Sequence, residues 1–218
     1  YTYLYTLSAH CYHKAMFRPG ENVAIVGLGT LGMGAVGVGR LFGARVIGIA
    51  NSELRMEMAA KMGTHACFLS SDPDLQAKLD EFTEGAGIDL VILTANPWPA
   101  YRTSVQIVRP GGRVSIVSLP ERGENPLDFN PLHMKWFYNK GISLIAVSQP
   151  EGYLYPAEEM RFTRMRNAAH TLSLMEDGGL EPKRLITHRL HYSEMQKAYE
   201  MAFNRDKTML GVIFQWKD

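Results

Sequence analysis

Short apolar runs alternate with longer stretches of helical spacing along most of the chain. Asn22–Gly27, Arg45–Ala50, Ile88–Thr94, Arg113–Ser118 and Ile142–Val147 are rich in β-branched residues, uncharged at their centres and bounded by Gly, Pro or Asn. That pattern predicts strands buried on both faces. Between them, Thr30–Phe42, Ser52–Met62, Pro73–Thr83 and Trp98–Val108 have helical spacing. Strand and helix in this alternation predict an α/β fold, a doubly wound parallel sheet with helices on both faces. The turn residues agree. Pro19-Gly20 precedes the first strand, Gly43 ends its helix, Ser52 is placed to cap the next, and Pro110-Gly111-Gly112 leads into Arg113–Ser118.

The rhythm changes after Val147. Leu119–Pro131 is polar and proline-rich and reads as a loop. Ala157–Glu176 predicts a long helix, Leu185–Leu190 a short strand, Ser193–Phe203 a helix and Met209–Trp216 a closing strand. We therefore expect a nucleotide-binding domain over residues 1–150 and a C-terminal segment, 151–218, that completes it. The chain opens on Tyr1 inside helical spacing, which predicts a piece of a longer protein.

Composition narrows the function. The 218 residues are 46% hydrophobic, enough for a substantial core. Net charge is +1, so electrostatics supply no reason to expect nucleic acid as a partner. No run of about 18 apolar residues predicts a membrane span. Cys11 and Cys67 are the two cysteines, far apart and in no metal-ligand spacing, which fits a reducing cytoplasm.

The sharpest motif is Gly27-Leu28-Gly29-Thr30-Leu31-Gly32. Gly-x-Gly-x-x-Gly is weak alone; here it follows a predicted strand and opens a predicted helix, as a dinucleotide loop requires. Gly27 permits a sharp turn, Gly29 leaves room for a pyrophosphate, and Gly32 lets the helix sit close to the sheet. The N–H groups of Thr30, Leu31 and Gly32, with the helix dipole, then face the phosphates. Gly34, Gly37 and Gly39 continue the run at roughly 1 kcal/mol each against Ala; helix–sheet packing explains one or two of them, and the third has no account in the sequence.

Cofactor choice is read at the end of the second strand, where an NAD site carries Asp or Glu. Ala50 stands there, followed by Asn51, Ser52, Glu53, Leu54 and Arg55. Without a carboxylate to repel it, a 2′-phosphate could be bound by Asn51, Ser52 and Arg55, which favours NADP. The alternative is NAD, with Glu53 in the acidic role and Arg55 an ordinary solvated residue.

The ordered set Arg18-Pro19-Gly20-Glu21, the glycine loop, Leu41-Phe42-Gly43-Ala44, Ala59–Thr64, Gly85–Asp89, Val108–Arg113, Leu185–His188 and Glu194–Tyr199 resembles the medium-chain dehydrogenase/reductase (zinc-type alcohol dehydrogenase-like) superfamily. The resemblance covers the cofactor-binding domain and C-terminal segment of that superfamily, and nearly all of this chain. It implies a six-stranded Rossmann sheet, a catalytic domain beyond this chain, and hydride transfer in a cleft between the two. It also implies that backbone at Thr94 and Ala95, Ser118 and Leu119, and Val147 and Ser148 reads the nicotinamide carboxamide. Strand Ile142–Val147 should end the sheet and pair with its copy across a two-fold axis, giving a homodimer. In that superfamily the register of a catalytic zinc ligand falls near Thr2, and Tyr1–Leu7 offers no Cys, Asp or Glu; either the register is shifted, or the site has no catalytic zinc, as in the quinone-reductase branch.

The remaining candidates have bland readings. His10, Cys11 and His13 form a sequence cluster but do not share one helix face, so a packed helix is the expectation over a metal site. His133 reads as a loop histidine with a general-acid role as the sharper alternative. His188 and His191 read as structural, Trp136, Phe137 and Tyr138 as packing, and Arg161, Arg164 and Arg166 as a solvated face. The function expected is hydride transfer between NADP(H) and a small alcohol, aldehyde, ketone or enone. The alternatives are a non-catalytic NAD(P)-binding or redox-sensing module, and a methyltransferase, against which the ordered later motifs argue.

Overall fold

The computed structural model describes residues 1–120, 126–127, 129–148 and 162–217. Six parallel strands form one sheet: β1 (Asn22–Val26), β2 (Arg45–Ala50), β3 (Ala66–Leu69), β4 (Ile88–Leu93), β5 (Val108–Ile116) and β6 (Ser143–Ala146). Their spatial order is β3-β2-β1-β4-β5-β6. The chain thus reverses direction across the sheet between β1 and β4, the switch point at which doubly wound sheets open a crevice. Five strands were legible from apolar runs. The sixth, β3, has four half-buried residues, too few for a clear period.

Alternation within the strands divides the core in two. Val23, Ile25, Leu90 and Ile92 point into one cluster, and Ala24, Val26, Val91 and Leu93 into the other. The first face is covered by α1 (Thr2–Lys14), α2 (Thr30–Leu41) and α3 (Glu53–Met62), and the second by α4 (Leu75–Phe82) and α5 (Trp98–Ile107). Trp136 and Phe137 pack against the second cluster as expected, whereas Tyr138 is exposed.

The C-terminal segment contains α6 (Arg164–Glu176), β7 (His188–His191), α7 (Met195–Phe203) and β8 (Val212–Gln215). The expected helix start at Ala157 lies outside the described residues, as does Arg161; Arg164 and Arg166 are exposed. β7 and β8 form a separate parallel pair. Leu180, Leu185 and Leu210 nevertheless belong to the first core cluster. Among the described residues no helix is long and apolar enough to cross a membrane.

The glycine run of α2 is explained mainly by helix–helix contact. A Cβ on Gly39 would come within 2.1 Å of the Tyr12 hydroxyl and 2.9 Å of Val46 Cγ2, and one on Gly34 within 2.9 Å of Ser8 Oγ. Tyr12 and Ser8 belong to α1, which lies so close that Tyr12 donates to the Ala35 carbonyl at 2.8 Å and Ser8 to the Leu31 carbonyl at 3.1 Å. The helix–sheet reading therefore holds for part of Gly39, and α1 accounts for the rest. Gly37 differs: its Cβ would make ordinary contacts of 3.4–3.7 Å with Leu180, Tyr5 and Met62. Gly37→Ala should stabilise the fold by roughly 0.5–1 kcal/mol through helix propensity, while Gly39→Ala should cost about 2 kcal/mol or more by displacing a buried, hydrogen-bonded tyrosine. Urea unfolding of the two variants tests this; equal effects would contradict the packing described.

Candidate functional site

The glycine loop stands at the carboxyl end of β1, beside the switch point. Gly27 has φ +99°, which only glycine adopts without strain, and its Cβ direction is filled by Ala95 at 2.7 Å. Thr94, just past β4, donates through its hydroxyl to the Gly27 carbonyl at 2.6 Å. Gly32 is packed against the same carbonyl, where a Cβ would come within 1.9 Å. The loop is thus fixed by its neighbours on both sides.

Gly29 is the exception. It caps α2 with φ −81° and ψ −169°, ordinary extended backbone, and a Cβ there would meet nothing within 4 Å. The space above it is a cleft of about 1040 Å³. Its floor is Gly27–Gly32, with Thr94 and Ala95 on one side and Asn51 and Arg55 towards the far end. No side chain caps α2, and the first amides of a helix have no partner within it. An anion lying over Gly29 would meet the N–H groups of the first turn, Thr30, Leu31 and Gly32, and the positive end of the dipole.

The far end of the cleft is built differently from the expectation. Ala50 ends β2 and is buried, and Asn51 is exposed at the cleft. Ser52 does not line it; its hydroxyl is buried and has no hydrogen-bond partner among the described residues. Arg55 does line it, but its Nη2 donates to the Met209 carbonyl at 2.8 Å. Thr30 likewise gives its hydroxyl to the Leu210 carbonyl at 2.7 Å. The segment before β8 is therefore drawn onto the cleft, where Arg205, Asp206, Lys207, Met209 and Leu210 form a wall. Sequence reasoning missed that wall and also Ser70 and Ser71 at the end of β3. The wall is more than 150 residues from the glycine loop, and no local pattern announces it.

The other expected backbone positions do not line this cleft. Ser118 donates its N–H to Leu93, Leu119 to the Asn96 side chain, and Val147 to Ile116. With Ser148 they lie past the ends of β5 and β6, on the other side of the switch point. His133 is exposed in its loop, with Nδ1 accepting from the Lys135 N–H at 3.1 Å, and does not line the cleft either. His10 and Cys11 are buried in α1; desolvation holds the imidazole pKa down to about 4 and pushes the thiol up to about 12. His13 is stacked on Phe162 at 3.9 Å. Those positions fit the packed helix expected. Among the described residues no three His, Cys, Asp or Glu side chains gather to hold a metal ion.

A parallel sheet of this order, with a glycine loop under an open cleft at its switch point, defines a dinucleotide-binding α/β domain. The comparisons place it. The family described as zinc-binding dehydrogenase matches residues 30–155. The chain belongs to that family and corresponds to the cofactor-binding part of the medium-chain dehydrogenase/reductase superfamily. L-threonine 3-dehydrogenase of Bacillus licheniformis is 30% identical over 84% of this chain and 48% of its own length. Sorbitol dehydrogenase of Bacillus subtilis is 26% identical over 96% of this chain and 54% of its own. The chain thus spans about half the length of the curated relatives it matches. The fold also matches the alcohol dehydrogenase TADH of Thermus sp. ATN1, with a TM-score of 0.77, 23% identity, and coverage of 98% of this chain and 56% of that one. An alcohol dehydrogenase of Escherichia coli solved with NADH matches with a TM-score of 0.77 at 16% identity, over 99% of this chain and 58% of that one.

Gly29 separates folding from binding. Gly29→Val places its side chain in open space, so the melting temperature should stay near that of the wild type. The same side chain occupies the anion position, and loss of one or two charge-assisted hydrogen bonds should weaken dinucleotide affinity by about 10- to 100-fold. Calorimetry beside thermal unfolding reads both; unchanged affinity in the folded variant would remove the loop from the site.

Proposed function

We propose that the chain is the cofactor-binding part of an oxidoreductase that transfers hydride between NADP(H) and a small alcohol, aldehyde, ketone or enone. Residues 1–150 form the NAD(P)-binding domain and residues 151–218 complete it. The observation that carries the reading is the open position above Gly29 in a loop otherwise filled on every side. Family membership supports the redox chemistry, and the relatives named as sorbitol and L-threonine dehydrogenases support a small hydroxylated substrate. The nicotinamide carries the chemistry; the protein binds, orients and excludes water. Backbone at Thr94, Ala95, Ser118, Leu119, Val147 and Ser148 is assigned to the nicotinamide carboxamide on the family resemblance, and two unpaired cysteines suit a reducing cytoplasm.

NADP is favoured over NAD because Ala50 removes the carboxylate that would bind the ribose diol and repel a 2′-phosphate. NADPH should bind at least about tenfold more tightly than NADH, the effect of one charge-assisted contact of roughly 1.5–3 kcal/mol. Calorimetric titration with both cofactors measures the ratio, and tighter NADH binding would reverse the assignment.

The active assembly is a homodimer through β6. Among the described residues that strand is the sheet's last on its side, and Ser143–Ala146 carries no charge or proline to protect an edge. The Val147 N–H points inward to the Ile116 carbonyl at 2.8 Å. Strand alternation therefore turns the N–H of Ala146 outward. Ala146→Pro removes that donor without touching the β5–β6 ladder. Sedimentation should show a dimer for the wild type and a shift towards monomer for Ala146→Pro and Leu144→Lys. A monomeric wild type at high concentration would defeat the assembly.

A further inference from the structure

Met209, Leu210 and Gly211 join the cofactor cleft to the C-terminal strand pair. The Thr30 hydroxyl, on the first residue of α2, donates to the Leu210 carbonyl at 2.7 Å. The Leu210 N–H donates the other way, to Thr187 Oγ1 at 2.9 Å, just before β7. To either side, the Met209 carbonyl accepts from Arg55 at 2.8 Å, and the Gly211 carbonyl accepts the N–H groups of Thr187 and His188 at 2.9 and 3.1 Å. Gly211 fixes the placement by sterics: a Cβ there would come within 2.2 Å of the Tyr1 hydroxyl and 2.4 Å of the Leu185 carbonyl.

A loop that only connected α7 to β8 would leave its main chain to water. Here all four main-chain polar groups of Met209 and Leu210 have partners, and three of those partners are side chains, Arg55, Thr30 and Thr187. Met209 and Leu210 line the cleft, whereas Thr187 and Gly211 do not. Thr30 serves both sides. Its hydroxyl holds the Leu210 carbonyl, and its N–H belongs to the helix turn that faces the open position above Gly29.

We propose that Thr187 is a positioning residue for the dinucleotide, although it lies outside the cleft. It acts through Leu210, whose N–H it accepts and whose carbonyl reaches Thr30. With both links made, Met209 and Leu210 stand as a wall beside the first turn of α2 and keep water from the anion position. Bonds from amides to an anion strengthen as water is excluded. This rests on the reading of the cleft as a dinucleotide site and is indifferent to the choice between NADP and NAD. The coupling is reciprocal: the factor that the closed wall adds to cofactor affinity is the factor that bound cofactor adds to the closed wall. The His188 amide reports on that closure, because it exchanges with solvent only when its bond to Gly211 opens.

Calorimetry with NADPH and NADH, beside amide hydrogen exchange of the full chain with and without each dinucleotide, tests both directions. In the wild type a bound dinucleotide should slow exchange at His188 about tenfold, a usual size for such coupling. Thr187→Val keeps the shape and removes the acceptor. It should weaken both dinucleotides about tenfold with their ratio kept, and abolish the slowing at His188 while the amides of Thr30–Gly32 stay protected. Thr187→Ser, which keeps the hydroxyl, should restore both. Thr30→Val breaks the same chain at its other end and should match Thr187→Val in both readouts, which keeps the test decisive if one valine variant does not fold. Wild-type affinity in a folded Thr187→Val, or wild-type exchange at His188 that a dinucleotide leaves unchanged while it slows Thr30–Gly32, would overturn the proposal and leave the dinucleotide site standing. A wild type that binds neither dinucleotide would overturn both.

Discussion

The first turn of α2 can face the cleft only because Gly32 lies against the carbonyl of Gly27, where any side chain would come within 1.9 Å. That close approach sets the angle at which the helix leaves β1. It also leaves the Gly27 carbonyl with a lone pair to satisfy, and the Thr94 hydroxyl supplies the donor at 2.6 Å. Because Thr94 follows β4, the bond joins the two strands that flank the switch point. The crevice, the loop and the helix dipole are thus one construction.

That construction is held from behind by α1. The side of α2 that carries Gly34 and Gly39 is pressed onto Ser8 and Tyr12, and Tyr12 closes an aromatic cluster with Phe17 at 5.2 Å and Phe42 at 5.7 Å. Glycine costs helix stability at each position, yet it lets two backbones approach closely enough for side chains of α1 to bond to carbonyls of α2. His10 pays part of the cost of this packing. It is buried in its neutral form, with Nδ1 lacking a partner among the described residues. Its pKa is lowered by desolvation to about 4, so the unfolded chain binds more protons below about pH 6.5. Stability is therefore lost as pH falls from that value towards 4.

Which features the sequence shows depends on how local their causes are. The glycine loop is legible because its three demands fall within six residues, and β1, β2 and β4 are legible because both their faces are buried. β3 is half-buried and short, so Ala66–Leu69 carries no period to find; the Gly63 turn before it, at φ +100°, was the available signal. Arg55 was legible as a cation just past β2 but not as a donor to Met209, because that carbonyl comes from a loop 154 residues away. Ser52 was misplaced for a simpler reason: a polar residue opening a helix can turn its hydroxyl inward as readily as outward, and here it is buried.

The two ends of the cleft divide the work of recognition in a way that follows from the forces available. Over Gly29 the groups are backbone amides and a dipole, which no substitution of a side chain can remove without breaking the turn. Hydrogen bonds from amides to a charged phosphate contribute about 1.5–3 kcal/mol each, and a pyrophosphate common to all dinucleotides would receive them alike. At the far end the groups are side chains from three separate segments: Asn51 after β2, Ser70 and Ser71 after β3, and the Arg205–Leu210 wall. A bond to a charged phosphate there is worth roughly 1.5–3 kcal/mol, enough to change preference by about 10- to 100-fold on its own. The turn is fixed by sterics within one hexapeptide, while the side chains at the far end sit on strand ends and a loop whose exchange leaves that turn intact.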